Sequence, residues 1–525
     1  MDQKTKFISP SDIEIEEITF DIFEKLKEGN GETIYDIGVD ENGNILTLTN
    51  DELLSSYATI TKICYNNNWT CSYLREYTST DHSGSIDDRR CELLIRTNFA
   101  GKQDFIEIKI ATIGNVDSGK STITGVLTGN LLDNGRGKAR SSVFRHKHEQ
   151  ETGRTSSIGH EILGFNSDGK VINTDNKTGR KRPWSDITKE ASKIISFSDL
   201  CGHDRYLKTT LSGLTSHAPD YCMITVGANA GVIGMTKEHI QAVLALKLPM
   251  FIVITKIDMA PKEILKGTIS QVIKLLKAPG VRKIPIKIID KDDVVIASKS
   301  ILKDACPVFL VSNVTGNGID LLKMFMNLLT TSKNWSEEID KPFLMQIDDK
   351  YLVKGVGTIV SGFCKHGIVK VNDKVLLGPD SIGEYHMTQV KSIEIKRFGV
   401  KQVSAGHTCT IAIKGIEKDF IKRGMYLVDP DNAEKPVWKF DAEIVILYHA
   451  TTIRQGYQPV LHCNNIRQTV CMYKIHGEDT VLRTGSKAIV TFKFNKRPEV
   501  MPIGTRIIFR DGKAKAIGKV TAIDT

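Results

Sequence analysis

The sequence predicts an α/β domain with a doubly wound, mostly parallel sheet, followed by two β-barrel domains and preceded by a small N-terminal α/β unit. Three observations support this prediction. The 525 residues exceed the roughly 250–300 that one hydrophobic core usually serves. Apolar runs of strand length alternate with helical patterns between residues 106 and 332. After residue 335 the chain changes to short strands separated by Gly, Asp and Asn turns, which is typical of small barrels.

The changes of pattern divide the chain into four predicted segments. They are an N-terminal extension with the small α/β unit, the α/β domain, a first barrel and a second barrel, over residues 1–100, 101–335, 336–432 and 433–525. In the extension, residues 51–65 have helical spacing, and residues 44–48 and 91–96 read as strands. Residues 79–88 read as a polar loop, and residues 1–30 show few periodic signals.

The α/β domain contains five apolar runs that suit strands buried on both faces of a parallel sheet. They lie at residues 106–113, 193–197, 221–226, 250–254 and 307–311. Helical spacing between or after them predicts helices near residues 121–127, 240–247 and 319–329. Strands that alternate with helices in this way indicate a doubly wound sheet.

The composition is that of an ordinary globular protein. Hydrophobic residues make up 40% and charged residues 25% of the chain, which excludes a disordered or fibrous protein. The net charge is +9, from 71 basic and 62 acidic side chains, and this excess permits contact with RNA without requiring it.

Cysteine spacing and the N-terminus indicate a cytoplasmic protein that does not enter a membrane. Ten cysteines are present without a Cys-x-x-Cys pair, so a zinc site of the usual spacing is not expected. Residues 1–9 are polar, unlike a signal peptide. No apolar run reaches the roughly 18–20 residues that span a bilayer.

The first chemical motif follows the first strand of the α/β domain and predicts a P-loop. Its residues are Gly114, Asn115, Val116, Asp117, Ser118, Gly119, Lys120 and Ser121, followed by Thr122. The two glycines let backbone amides curl around a β-phosphate, and the following helix adds its positive N-terminus. Lys120 would span the β- and γ-phosphates, and Ser121 would ligate Mg²⁺.

A second motif, which predicts a γ-phosphate sensor, follows the second buried strand. Its residues are Asp199, Leu200, Cys201, Gly202 and His203. A carboxylate at the end of a strand can hold a Mg²⁺-bound water, and a glycine amide can meet the γ-phosphate. His203 could position and polarise the attacking water.

Two further motifs predict recognition of guanine. Asp258, in Thr255-Lys256-Ile257-Asp258, can accept hydrogen bonds from both N1–H and N2–H of guanine, which adenine does not offer. Lys256 would lie along the purine face. The last motif, Ser312, Asn313 and Val314, could support the guanine carbonyl through backbone amides. Four such elements, each at the carboxyl end of a buried strand, together predict a P-loop GTPase domain.

These residues resemble the translational GTPases, the group of elongation factor Tu and elongation factor 1-alpha, and most of all its GTP-binding protein 1 and 2 branch. The likeness covers residues 30–525. Beside the nucleotide motifs, it rests on residues 31–35, 153–157, 199–209, 236–239 and 354–362. The resemblance implies a GTPase domain followed by two β-barrels, with GTP or GDP, Mg²⁺ and a monovalent cation near Asp117 as its ligands. It also implies that Thr155 ligates Mg²⁺ in the GTP state and that His203 orients the hydrolytic water.

Three departures from the family pattern lead to further expectations. Thr255 stands where an asparagine is usual. The hydrogen bond by which that asparagine ties two loops together is therefore in doubt. Arg154 replaces an apolar residue that shields the catalytic histidine, so hydrolysis is expected to be gated differently. Residues 165–189 are polar and are expected to enlarge the first switch region.

The leading hypothesis is a monomeric GTP-hydrolysing switch that acts with aminoacyl-tRNA, the ribosome or both. Basic residues of the second barrel would suit an RNA-facing surface, namely Lys493, Lys496, Arg497, Arg506, Arg510 and those within residues 513–519. One alternative is a GTP-binding RNA-surveillance or regulatory adaptor with slow hydrolysis. Another is the GTPase subunit of a sulfate-activating enzyme, which the N-terminal unit makes less attractive.

Overall fold

The computed structural model confirms the predicted fold class. It describes residues 5–39, 46, 48–80, 86–98, 105–144, 147–152, 155–175, 177–203, 206–216, 219–331, 335–477, 481–511 and 514–523. A small α/β unit is followed by a seven-stranded α/β sheet and two barrels, and buried apolar clusters fill each of them. Among the helices in these ranges, none has the length and apolar character needed to cross a bilayer.

The N-terminal unit places two helices on an antiparallel sheet with the order β1-β3-β2. Its elements are α1 (Asp12–Glu28), β1 (Glu32–Ile37), α2 (Asn50–Asn66), β2 (Trp69–Thr80) and β3 (Ile86–Thr97). Helix α1 lies within residues 1–30, where the sequence shows few periodic signals. Ser11 caps its N-terminus in a capping box, and Ile18, Ile22 and Leu26 bury one face.

The other expectations for this unit have mixed outcomes. Helix α2 and strand β3 confirm the predictions for residues 51–65 and 91–96. The predicted loop at residues 79–88 is shorter, because β2 runs to Thr80 and β3 begins at Ile86. Residues 81–85 lie outside the described residues, as does most of the strand predicted at residues 44–48.

The α/β domain has a sheet with the order β5-β6-β4-β7-β8-β10-β9. Its elements are β4 (Ile106–Gly114), α3 (Lys120–Gly129), α4 (Lys138–Ser141), α5 (Lys147–Thr152), β5 (Gly159–Phe165), α6 (Trp184–Glu190), β6 (Lys193–Asp199), α7 (Leu207–Ser216), β7 (Tyr221–Gly227), α8 (Gly234–Ala245), β8 (Met250–Thr255), α9 (Lys262–Lys277), β9 (Ile284–Lys287), α10 (Lys291–Ser300), β10 (Ala305–Leu310) and α11 (Ile319–Leu328). Helix α12 (Ser336–Ile339) follows and contacts the first barrel, where the Gly367 amide donates to the Glu338 carbonyl at 2.8 Å. Only the edge pair β5–β6 is antiparallel among these strands. The loops after β4, β6, β8 and β10 therefore meet at one edge.

The polar stretch at residues 165–189 is folded onto the edge strand β5. An isolated bridge joins Thr174 to Lys181, and helix α6 follows. The buried Asn173 side chain organises the turn, because it accepts a hydrogen bond from the Gly164 amide at 2.7 Å and donates to the Thr128 carbonyl at 2.9 Å.

A buried cluster of charges joins the N-terminal unit to the α/β domain. The Glu32 carboxylate accepts hydrogen bonds from Arg96 Nη2 at 2.7 Å and from Lys193 Nζ at 2.5 Å. Arg96 also donates to the Asn327 side chain at 3.1 Å, and all three charged side chains are at most 1% exposed. Removing one partner from such a cluster leaves an uncompensated charge, so the two units are held in one arrangement.

Two barrels complete the chain. The first contains β11 (Leu344–Val353), β12 (Gly357–His366), β13 (Ile368–Lys370), β14 (Lys374–Gly378), β15 (His386–Ile395), β16 (Phe398–Val400), β17 (Gln402–Ser404), β18 (Thr408–Ile413) and β19 (Tyr426–Val428). The second contains β20 (Lys439–Tyr448), β21 (Ile453–Arg454), β22 (Val460–Cys463), β23 (Ile466–Ile475), β24 (Val481–Leu482), β25 (Lys487–Phe494), β26 (Arg506–Asp511) and β27 (Ala514–Ile523). The pairing of β14 with β15 closes the first barrel, and six strands close the second. Strand β19 belongs to the first barrel, so the segment that links the two barrels begins after Val428.

The α/β domain contacts the first barrel through charged side chains of β4. Glu107 Oε1 accepts hydrogen bonds from Lys396 Nζ at 2.8 Å and from Ser196 Oγ at 2.6 Å. Lys109 Nζ donates to the Gly406 carbonyl at 3.2 Å. Because Glu107 and Lys109 are buried, this polar contact fixes the orientation of the barrel on the sheet.

Candidate active site

The loop between β4 and α3 has the backbone shape of a phosphate-binding loop. A Cβ on Gly114 would lie 2.3 Å from Thr225 Oγ1, so only glycine fits there. Asp117 and Gly119 adopt positive φ angles of 61° and 83°, which turn the chain sharply before the helix. Since no side chain caps the N-terminus of α3, the amides of its first turn face the loop and can bind an anion.

Lys120 brings a positive charge to the centre of this loop. Its side chain is buried, and Nζ donates to the Asn115 carbonyl at 2.8 Å. Burial lowers the pKa of the ammonium group, and the charge of Asp199 opposes that effect. A Cβ on Gly202 would lie 2.3 Å from Lys120 Nζ, so the predicted γ-phosphate sensor approaches the lysine closely.

Three oxygen-bearing side chains meet beside Lys120. Ser121 Oγ donates to Asp199 Oδ2 at 2.5 Å and lies 2.8 Å from Thr155 Oγ1. Burial raises the pKa of the Asp199 carboxyl to about 6, against the attraction of Lys120. Two hydroxyls and one carboxylate are hard oxygen donors of the kind that Mg²⁺ prefers. The residues present therefore suit a Mg²⁺ ion.

The segment after β6 lies partly in the hydrophobic core, at Leu200 and Cys201, and partly at the cavity, at Gly202 and His203. The Leu200 and Cys201 side chains are at most 1% exposed, so these two residues can meet a ligand only through their backbone. The Cys201 carbonyl accepts a hydrogen bond from Thr210 Oγ1 at 2.7 Å, which attaches the segment to α7. His203 is half-buried beside the cavity, with its ring centroid 6.1 Å from that of Tyr206.

Thr255 ties two of the nucleotide loops together, although its replacement of asparagine placed that bond in question. The buried hydroxyl donates to the Ser118 carbonyl at 2.7 Å. A threonine hydroxyl at the end of β8 can reach the phosphate loop because Gly119 carries no side chain. A Cβ at Gly119 would lie only 3.3 Å from Thr255 Oγ1.

The predicted guanine-binding residues lie on two neighbouring loops. Lys256 has a positive φ angle of 60° and is half-buried, whereas Asp258 is exposed. The Ile257 amide donates to the Val311 carbonyl at 3.5 Å and so joins the loop after β8 to the loop after β10. This leaves the Asp258 carboxylate on the surface, where a base can reach it.

The second of these loops is closed by its own serine. Ser312 Oγ accepts hydrogen bonds from the Val314 amide at 3.2 Å and from the Thr315 amide at 3.0 Å. The Asn313 carbonyl accepts from the Asp133 amide at 2.8 Å. A guanine carbonyl would therefore have to displace Ser312 Oγ from the Val314 amide, or bind elsewhere on the loop.

A cavity of about 290 Å³ lies between the phosphate loop and the segments that carry Thr155 and His203. Nine predicted residues line it, namely Val116, Asp117, Gly119, Lys120, Ser121, Thr122, Thr155, Gly202 and His203. A smaller hollow of about 50 Å³ reaches from the same loop to Lys256. Asp258 and residues 312–314 line neither space. The structure thus brings together the residues predicted to bind phosphate and metal. The residues predicted to bind the guanine base lie to one side of them.

Five further residues of the site had no role assigned to them from the sequence, although two of them, Ser156 and Tyr206, belong to the motifs that carry the family resemblance. Arg140, His148, Ser156 and Tyr206 also line the cavity. Glu149 is buried beside Thr155 and accepts hydrogen bonds from the backbone amides of Ser156 and Ser157. Arg140, His148 and Glu149 belong to short polar segments without periodicity, so the signal available for these three was their nearness in sequence to the predicted switch. The family motif residues 153, 154, 204 and 205 lie outside the described residues.

Comparison with known proteins gives matches over most of the chain. The family model of the elongation factor Tu GTP binding domain matches residues 107–331. Those of elongation factor Tu domain 2 and of the elongation factor Tu C-terminal domain match residues 357–428 and 433–524. The matched ranges together exceed half of the sequence.

Several relatives are similar over the whole chain or most of it. GTP-binding protein 1 of Xenopus laevis is 45% identical over 100% of this chain and 79% of its own length. GTP-binding protein 2 of Mus musculus is 40% identical over 100% of this chain and 86% of its own. Elongation factor 1-alpha of Thermococcus kodakarensis is 28% identical over 79% of this chain and 97% of its own.

Solved structures show the same fold at lower identity. A bacterial selenocysteine-specific elongation factor is 21% identical, with a TM-score of 0.56 over 79% of this chain and 58% of its own. Translation elongation factor SelB of Methanococcus maripaludis, in complex with a GTP analogue, is also 21% identical. Its TM-score is 0.55 over 80% of each chain.

Proposed function

Because the chain belongs to the elongation factor Tu family of GTPases and hydrolyses GTP, we propose that this hydrolysis switches its contact with aminoacyl-tRNA and the ribosome. The observation that carries the proposal is the meeting of Ser121, Thr155 and Asp199 beside Lys120. Thr155 comes from a loop separate from the phosphate loop, and in this proposal the γ-phosphate and Mg²⁺ keep it beside Ser121. A loop that is held only when the γ-phosphate and its metal are present is the usual element of such a switch.

In this proposal the phosphate groups of GTP lie in the 290 Å³ cavity. The amides of residues 114–121 bind the β-phosphate, and Lys120 bridges the β- and γ-phosphates. Ser121 and Thr155 would hold Mg²⁺, with Asp199 behind them, and the ion supplies charge that stabilises the leaving phosphate. The Gly202 amide would meet the γ-phosphate, and the close approach of Gly202 to Lys120 Nζ, 2.3 Å from a Cβ placed there, supports this contact.

The remaining site residues have roles that rest on position. His203 would orient the attacking water, because it lines the cavity near Thr155. Asp258 would accept both guanine N–H groups, with Lys256 against the base. Asp117 also lines the cavity, which supports the monovalent cation proposed beside it.

The proposed RNA partners rest on the relatives and on part of the basic second barrel. Elongation factor 1-alpha and SelB are named as elongation factors, and their likeness extends over about four-fifths of this chain. Some of the basic residues face inward instead. Lys515 pairs with Glu238 at 3.1 Å and Arg506 donates to the Ala245 carbonyl at 3.4 Å. The exposed residues that suit RNA are Lys493, Lys496 and Lys519.

The proposal also covers location, oligomeric state and domain division. We propose that the protein acts in the cytoplasm as a monomer and that its domains are residues 1–100, 101–335, 336–432 and 433–525. The sheet memberships support the last three of these segments, since the paired strands of the α/β sheet and of each barrel fall within one segment.

Aminoacyl-tRNA binding tests the switch directly. The affinity of the full chain for aminoacyl-tRNA and for deacylated tRNA would be measured with a non-hydrolysable GTP analogue and with GDP. A coupling of about 5- to 150-fold between the analogue and aminoacyl-tRNA is expected. Equal affinity in both nucleotide states, or no preference for the aminoacyl group, would favour the adaptor with slow hydrolysis.

A further inference from the structure

A single carboxylate oxygen gathers four hydrogen bonds next to Thr155. Glu149, on the short helix α5, is 1% exposed. Its Oε1 accepts from the Ser156 amide at 2.7 Å and from Ser156 Oγ at 2.9 Å. It also accepts from the Ser157 amide at 2.9 Å and from Ser157 Oγ at 3.0 Å. Hydrogen bonds to an ionised acceptor are roughly twice as strong as neutral ones.

These contacts fix the backbone directly after Thr155. Two consecutive amides point at the same oxygen, so residues 155–157, which we name the Thr155 loop, cannot turn away without breaking several bonds together. The neighbouring His148 adds a contact from the same helix, because its Nε2 lies 2.7 Å from Ser156 Oγ. With the loop held in this way, Thr155 Oγ1 lies 2.8 Å from Ser121 Oγ.

We propose that Glu149 is a positioning residue that holds Thr155 in place to ligate Mg²⁺ when GTP is bound. The inference rests on the proposed role of Thr155 and extends it to a residue that does not line the cavity. Groups that orient a metal ligand commonly change metal affinity or activity by about 10- to 100-fold when they are removed. Glu149 would orient Thr155 through the backbone amides and hydroxyls of Ser156 and Ser157.

The carboxylate has a specific advantage in this place. Four N–H and O–H donors from two residues converge on one oxygen, and the negative charge of an ionised carboxylate attracts them more strongly than a neutral carbonyl would. If the Thr155 loop moves away, the buried charge loses these four donors at once. The buried carboxylate and the observed position of the loop therefore stabilise each other.

The test compares Glu149→Ala with Glu151→Ala in the full chain. Glu151 lies two residues further along the same helix and is exposed, so it is the matched control. The measurements are the Mg²⁺ dependence of binding of a non-hydrolysable GTP analogue, GDP affinity, and GTP turnover. For Glu149→Ala, half-saturation by Mg²⁺ is expected to rise about 10-fold and turnover to fall by about the same factor, with GDP affinity within about twofold.

Two additional variants keep the proposal falsifiable if Glu149→Ala folds poorly. Glu149→Gln retains an acceptor oxygen without the charge, and a smaller loss is expected. The pair Ser156→Ala and Ser157→Ala removes two donors while the carboxylate stays, and it should shift the Mg²⁺ dependence in the same direction. Thermal melting of each variant reports its folding.

A double-mutant cycle with Thr155→Ala decides whether Glu149 acts through Thr155. If it does, the double variant loses no more Mg²⁺-dependent analogue binding than Thr155→Ala alone. Additive losses, an unchanged Mg²⁺ dependence, or equal losses of GDP and analogue binding would each overturn the proposal. If the wild-type chain binds aminoacyl-tRNA equally well with the GTP analogue and with GDP, the proposed function fails. The Mg²⁺ dependence of analogue binding still decides the role of Glu149 in that case.

Discussion

His203 is the residue that the proposed function assigns to the attacking water. Its half-buried ring lines the cavity that Lys120 and Thr155 also line, and no other histidine except His148 does so among the described residues. His148 Nε2 lies 2.7 Å from Ser156 Oγ and so contacts the Thr155 loop, whereas His203 is the last residue of the predicted γ-phosphate sensor. That position suits an attacking water better than a structural contact.

Replacement of His203 separates hydrolysis from binding. His203→Ala is expected to slow single-turnover GTP hydrolysis by about 10²–10⁴-fold, because positioned proton acceptors commonly contribute that much. GTP affinity should stay within about twofold, since phosphate and base contacts remain. His476→Ala, in the second barrel, is the control. Unchanged hydrolysis in His203→Ala would remove the histidine from the mechanism.

At the same scale, sequence and structure differ in an instructive way. The phosphate loop was predictable because eight adjacent residues carry its chemistry. The bond from Thr255 to Ser118 was not, because a shorter hydroxyl reaches the loop only across the space left by Gly119. Glu149 was also missed, since its partners lie seven and eight residues away on a loop and follow no helical or strand period.

Among the elements, the junction between β6 and α7 controls the distance from the sensor to the phosphate loop. A Cβ on Gly202 would lie 2.3 Å from Lys120 Nζ and 2.6 Å from the Gly114 carbonyl. The lysine end could move, but the backbone carbonyl of the loop could not move without displacing β4. The absent side chain therefore allows the two strand ends to approach.

An added methyl group at this junction should disable the site while leaving the fold. Gly202→Ala is expected to reduce GTP turnover at least about 10²-fold, because a misplacement of about 1 Å is enough for such a loss. Gly234→Ala is the control, as a Cβ at Gly234 meets nothing within 4 Å. Both turnover and thermal melting would be measured. Normal turnover in Gly202→Ala would show that the approach is not needed.

The elements that could be predicted are those with strong periodicity. The buried strands of the α/β sheet have continuous apolar runs, and β4, β7 and β8 are buried at every position. Helix α1 was missed because acidic residues surround its three buried positions, and α4, α5 and α6 are only four to seven residues long. Such short helices form because neighbouring structure holds them, not because their sequences favour them.

For the whole molecule, the charge contact between β4 and the first barrel determines how the units are arranged. Although burial opposes its charged form, Lys396 and Lys109 hold the pKa of Glu107 at about 2, below its ordinary value of 4.5. The folded state therefore binds fewer protons than the unfolded state between these values. The contribution of Glu107 to stability is complete above about pH 4.5 and is lost as the pH falls through 2.

This shift predicts how Glu107→Gln changes the response to acid. Above pH 5 the variant should be less stable than wild type, by an amount on the order of 3 kcal/mol from the pKa difference. The gap should narrow as the pH falls towards 2, where the wild-type carboxylate takes up its proton. Denaturant unfolding of both proteins between these pH values measures the difference in their free energy of unfolding. Glu263→Gln, at an exposed carboxylate, is the control, and a gap independent of pH would contradict the assignment.

Ribosome-dependent GTP turnover by the full chain tests the central claim most directly. Turnover would be measured for the protein alone and then with ribosomes and aminoacyl-tRNA. If the Thr155 and His203 segments complete the site in response to a partner, stimulation of about 10³-fold or more is expected, as for GTPases whose sites are completed in trans. Tight GTP binding with the same slow turnover in every mixture would contradict the translational role and favour a GTP-binding adaptor.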